Sequence, residues 1–262
     1  MSLLLRKLGR RQIAFCLAIV AILVGKSAAA DYRISHCVGG CPLGAEDDSQ
    51  LVVRSSYALS FSSQRASASW IAYRLRAGAL GIASSLSREP IPDTELTFDP
   101  MLRESLEAEG AAAGMSRVGL IPLVNVARTP YWREVNHLSA STFRTQSLDR
   151  GAWSGLEWSL RNLVNRRGEV YVVAGPLYEA PQEKAAQGVG RLPTGFFKLI
   201  VSDSGELSVF RFDQQFAVHV HHCNARSSLK EIEAATGLRF FPNWEPTEIG
   251  RVSLDAALGC SP

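Results

Sequence analysis

The sequence predicts an α+β fold in which strands dominate around one long helix in mid-sequence. Three observations carry this. Short apolar runs rich in β-branched and aromatic residues recur on both sides of the middle of the chain, bounded by Gly, Pro and Ser. Between them, Leu156, Leu160, Leu163 and Val164 fall on one helical stripe. Finally, the chain beyond residue 30 is 232 residues long, enough for one domain with a sizeable core, and no repeat or low-complexity linker divides it.

In chain order, residues 1–30 are set apart as a secretory signal. Arg6, Lys7, Arg10 and Arg11 form a positive start, Ile13 to Val24 an apolar stretch, and Ala28-Ala29-Ala30 a small-residue cleavage site before Asp31. The apolar run is shorter than the roughly 20 residues a bilayer core requires. The expectation is export, to the periplasm or the outside, with no membrane segment left after cleavage; an uncleaved anchor is the alternative. The single domain then spans 31–262.

Leu51 to Phe61 and Trp70 to Leu75 are expected as strands joined across Ser62–Ser69. Glu169 to Gly175 and Phe196 to Ser202 have the look of buried central strands, and Trp153 to Val164 of the long helix. Ser227-Ser228-Leu229-Lys230-Glu231 opens a second, short helix that Gly237 ends. If His219-Val220-His221-His222 is a strand, His219 and His221 share a face and His222 points away; polar surface or packing near a disulfide is favoured there over a metal site.

Charge gives no support to a nucleic-acid partner. Of 28 Lys and Arg, five lie in the signal, which leaves 23 against 25 acidic residues, a net of −2. Phosphate binding would have to come from a local arginine cluster. Four cysteines remain, Cys37, Cys41, Cys223 and Cys260, an even number in an exported chain. Three pairings are open; the tight Val38-Gly39-Gly40 spacer favours Cys37 with Cys41 and Cys223 with Cys260. A thiolate metal site is the competing reading.

Asp149, Trp153, Glu157 and Arg161 recur every four residues, on nearly one helix face. Two carboxylates and an arginine so spaced suit a hydrated Mg²⁺ and a phosphate; a solvated face with Glu157–Arg161 pairing is the plainer reading.

Ordered motifs along nearly the whole chain change that balance. They are Cys37 to Pro42, the LVVRSSYALSF and WIAYRL strands, Pro130-Tyr131-Trp132, Asn136-His137-Leu138-Ser139, the Gly151-Ala152-Trp153 helix with Leu156-Glu157, Gly175-Pro176-Leu177-Tyr178, and Ile232 through Pro242. Together they resemble the DNA/RNA non-specific endonucleases, the ββα-metal nuclease family, whose fold is a central antiparallel sheet with a metal-site helix. The resemblance implies a DNA- and RNA-cutting site with one Mg²⁺. Its Asp-Arg-Gly-His motif falls on Ser116-Arg117-Val118-Gly119, so Arg117 matches and the general-base histidine is Gly119. Its metal-binding asparagine falls on Asp149, which with Glu157 forms the expected metal set. Glu157, Arg161, Asn136 and Arg88 fall on further active-site positions.

In-line attack on phosphorus needs a proton acceptor for the water, and losing a positioned base costs about 10² to 10⁴ in rate. The expectation is therefore a member that binds nucleic acid and a divalent metal, with hydrolysis lost or strongly impaired. The alternatives are an active Mg²⁺-dependent endonuclease with a substitute base, for which His36, Glu134 and His137 are candidates, or a secreted interaction protein.

Overall fold

The structure, a computed structural model, describes residues 33–44, 48–97, 99–179, 191–245 and 247–261. The expected signal, 1–30, lies outside them.

Six strands form one antiparallel sheet: β1 (Ser49–Val53), β2 (Ala58–Ser62), β3 (Ser67–Arg76), then β6 (Glu169–Leu177), β7 (Gly195–Val201) and β8 (Leu207–Asp213), in the order β1-β2-β3-β6-β7-β8. A separate two-stranded ribbon pairs β4 (Met115–Gly119) with β5 (Ser141–Thr145), Gly119 opposite Ser141. Among the described residues the longer helices are α1 (Pro100–Ala112), α2 (Ser154–Arg167) and α3 (Leu229–Thr236). The α+β class is borne out.

Both faces of the sheet are covered, which explains the near-continuous apolar character of its central strands. Tyr73, Val172, Phe196 and Ile200 pack with Leu156, Leu160, Leu163 and Val164 of α2 in one core. Trp70, Ala72, Val173, Phe197 and Leu199 face the other way, against Ile232 of α3, Leu238, Phe240 and Phe241. Every residue of β7 is buried.

Several elements differ from expectation. Leu51 to Phe61 is a hairpin of two strands, because the chain reverses at Ser55 and Ser56, whose backbone N–H groups donate to the Glu134 carboxylate at 3.4 and 2.8 Å. The long helix is not alone: α1 has 13 residues, with Pro100 in its first turn and Asp99 accepting from the Met101 amide. It buries only Leu106 and Gly110, so it leaves little periodic signal. The segment leading to Cys223 is turn and a short 3-10 helix (His222–Ala225) instead of a strand, since the His221 ring accepts from the Cys223 amide.

The expected start and stop of α3 hold, with a reciprocal Ser228/Glu231 cap and Gly237 left-handed at the end. Disulfides join Cys37 to Cys41 and Cys223 to Cys260. They leave no thiolate for the metal site considered above. No helix among the described residues is long and apolar enough to cross a membrane.

Candidate active site

The ribbon, the start of α2 and the segment around Asn136 enclose a cavity of about 440 Å³. Arg88, Arg117, Gly119, Asn136, Asp149, Glu157 and Arg161 all line it. Residues separated by more than seventy positions thus meet in one place. How each arrives follows from local structure.

β4 brings Arg117 and Gly119. The Arg117 guanidinium lies 4.5 Å from the Phe143 ring centre, donates to Ser141 Oγ at 3.0 Å and pairs with Glu107 at 2.6 Å. A Cβ at Gly119 would fall 3.2 Å from the Ile121 carbonyl oxygen, a tight contact without outright overlap. Asn136 donates from Nδ2 to the Ser87 carbonyl at 2.9 Å, so it fastens the segment that carries Arg88.

Before α2 the chain makes one helical turn (Gln146–Leu148) and a widened turn (Asp149–Trp153) with a kink at Gly151. Only glycine suits that kink, since a Cβ there would sit 2.6 Å from the Val218 carbonyl oxygen. The kink does not remove Asp149, Trp153, Glu157 or Arg161 from the cavity wall.

Three residues that sequence reasoning missed organise the site. Lys198 of β7, fully buried, pairs with Glu157 Oε1. It shares a sheet face with Phe196 and Ile200, two residues away on either side, and that face looks toward α2. Asn125 Nδ2 donates to the other Glu157 oxygen at 3.2 Å, which also lies 3.9 Å from Arg161. Arg144 of β5, 1% exposed, donates from Nη1 to Asp149 Oδ1 at 2.7 Å. Arg144 and Lys198 each approach the Trp153 ring at 3.7 Å, and Phe196 stands 4.8 Å from the Arg144 guanidinium. Burial lowers the Arg144 pKa to about 10, with Asp149 acting against the shift; at neutral pH it is a cation.

A lone lysine in the apolar run FFKLIVS was the available signal for Lys198, because an ammonium in a covered strand needs a buried partner. The polar strand STFRT offered nothing comparable for Arg144.

The candidate substitute bases are elsewhere; none lines the cavity. His36 donates from Nε2 to the Arg54 carbonyl at 3.0 Å. His137 Nδ1 is 3.1 Å from buried Asp93, which also takes Arg54 and the Ser139 amide and hydroxyl. Glu134 holds the Ser55–Ser56 turn. His222 Nε2 donates to the Leu258 carbonyl at 3.0 Å. The sulfur beside His221 and His222 is in a disulfide, so that cluster is no metal set.

Comparison with known proteins fits this architecture. The model of the family described as DNA/RNA non-specific endonuclease matches residues 42–247. The chain belongs to that family. A nuclease of Serratia marcescens is 31% identical over 233 residues, covering 85% of this chain and 86% of the relative. Nuclease C1 of Cunninghamella echinulata var. echinulata is 26% identical, with 79% and 88% covered. The fold is shared with a chain in the crystal structure of the EndoG/EndoGI complex, at TM-score 0.66 and 20% identity, over 84% of this chain and 96% of that one. The architecture is thus the ββα-metal nuclease fold. Nucleases of this family are generally metal-dependent.

The donor set here does not fit a divalent cation. Asp149, the expected metal ligand, gives its Oδ1 to a buried guanidinium, and Glu157 is held between Lys198, Asn125 and Arg161. Four arginines and two carboxylates line the cavity, a balance that favours an anion.

Proposed function

We propose that this family member holds the phosphodiester backbone of DNA or RNA in the arginine-lined cavity and has lost, or nearly lost, the ability to cut it. Arg88, Arg117 and Arg161 would bind phosphate oxygens, and Asn136 would hold Arg88 in place. The observation that carries the reading is the wall at Gly119. No histidine lines the cavity among the described residues, and its two carboxylates both have cationic partners. An attacking water would find no free base there, which is worth about 10² to 10⁴ in rate. The divalent ion implied by the resemblance has no part in this proposal. Export, to the periplasm or beyond, is supported by the two disulfides.

The test combines cleavage and binding. Purified protein incubated with plasmid and Mg²⁺ is expected to leave it intact, while a gel shift shows DNA and RNA retarded at low salt and released steeply as salt rises. Gly119→His is expected to raise nicking only in part. Rapid chelator-sensitive digestion by the unmodified protein would overturn the proposal in favour of an active nuclease, and no shift at low salt would point to an interaction protein without a nucleic-acid role.

A further inference from the structure

Arg144 is the most unusual group in the cavity wall. It is 1% exposed, and among the described residues only Nη1 of its three guanidinium nitrogens has a hydrogen-bond partner, Asp149; Nε and Nη2 are buried without one there. A buried cation with unspent donors is costly unless an anion meets it. Asp149 supplies one such contact, and Arg144 shares the wall of the cavity with Arg161 and Arg88.

From this geometry we infer that the Arg144 guanidinium takes the place of a divalent cation at Asp149, so that the cavity binds a nucleic-acid phosphate without metal. The inference rests on reading the cavity as a phosphate site. A divalent ion at Asp149 would sit within a few ångströms of a fixed positive charge that desolvation prevents from being screened. The same charge favours a phosphate oxygen approaching from the cavity. Aromatic packing fixes the guanidinium there: Trp153 lies against it at 3.7 Å and Phe196 at 4.8 Å, so it cannot swing aside as an exposed arginine would. Exchange of one cation for another also accounts for a carboxylate at position 149. A neutral side chain there would take away the counter-charge that is hydrogen-bonded to Arg144.

Two measurements decide it. Mn²⁺ titrated into the protein and followed by electron paramagnetic resonance is expected to show no Asp149-dependent site, and Arg144→Met to gain one at least about tenfold tighter. Equal Mn²⁺ affinity in the two proteins, removed by Asp149→Asn, overturns the inference.

In the second, a duplex oligonucleotide followed by fluorescence anisotropy is expected to bind alike in Mg²⁺ and in chelator. Asp149→Asn, which uncovers the Arg144 charge, is expected to bind about three- to tenfold more tightly. Loss of binding in chelator, or weaker binding by Asp149→Asn, overturns the inference even if Arg144→Met does not fold. Absence of oligonucleotide binding under both conditions defeats the phosphate-site reading instead, while the Mn²⁺ result still reports on Arg144.

Discussion

Lys198 and Glu157 are each nearly or fully removed from water, so their pairing is a structural commitment as well as part of the site. Desolvation lowers the Lys198 pKa and Glu157 works against that shift. Removing the lysine leaves Glu157 buried with only Asn125 and the more distant Arg161, and breaking a buried pair costs up to about 3–5 kcal/mol. Lys198→Met is therefore expected to lower stability by about that amount in urea unfolding, and Lys198→Met with Glu157→Leu to recover much of it. If the double variant is no more stable than the single one, the pair is not what makes the lysine necessary. Gly119 is a different kind of residue. Its φ is not in the left-handed region and its Cβ direction is tight but open, so the backbone does not demand glycine there. What glycine changes is the chemistry of the wall.

At the scale of elements, the cavity is an assembly of segments whose mutual placement depends on a few clasps. Asn136 connects to the Arg88 segment through the Ser87 carbonyl, and backbone bonds between Ile91 and residues 136 and 138 run alongside. Asp93 anchors the same region to Ser139 and Arg54. Arg88→Ala is expected to lower the salt dependence of DNA binding by about one phosphate contact. Asn136→Ala is expected to weaken binding in the native background and to add little once Arg88 is gone, since it acts through Arg88; a double-mutant cycle by anisotropy reads this coupling. Additive losses would show that Asn136 touches nucleic acid directly.

Elements with strong periodicity were legible in the sequence, as were the caps of α3. The hairpin within Leu51–Phe61 was not, because its turn is held by Glu134, about eighty residues away. The ribbon of β4 and β5 is polar and short, and α1 buries too little to mark its face.

Across the molecule, three histidines are withdrawn from water in different places: His36, buried near the first disulfide; His137, half-buried against Asp93; and His222, buried beneath the C-terminal segment. Burial is the first cause lowering each pKa below its ordinary value of 6.5. The unfolded chain therefore takes up protons before the folded one as pH falls. The stability that depends on these neutral rings is complete above about pH 6.5 and is lost as pH falls through the folded values. The slope is up to about 1.4 kcal/mol per pH unit for each histidine. Urea midpoints measured from about pH 7 to pH 5 are expected to decline, and the decline to shrink when the three are replaced by Gln. A flat profile would contradict it.

The sequence by itself determined the α+β class, the disulfide pairing it favoured, and the family, because these rest on local periodicity, on spacing and on the order of motifs along one chain. It also set Gly119, Asp149 and the face of α2 in one register. Only the tertiary structure decided which charges are already matched. Lys198 meets Glu157 across 41 positions because a strand and a helix share a core. Arg144 is close to Asp149 in sequence, yet the aromatic rings that bury it come from α2's lead-in and from β7. A carboxylate in sequence is a potential ligand. Whether it is free to bind a metal depends on the cation packed against it, and packing is a property of the folded chain.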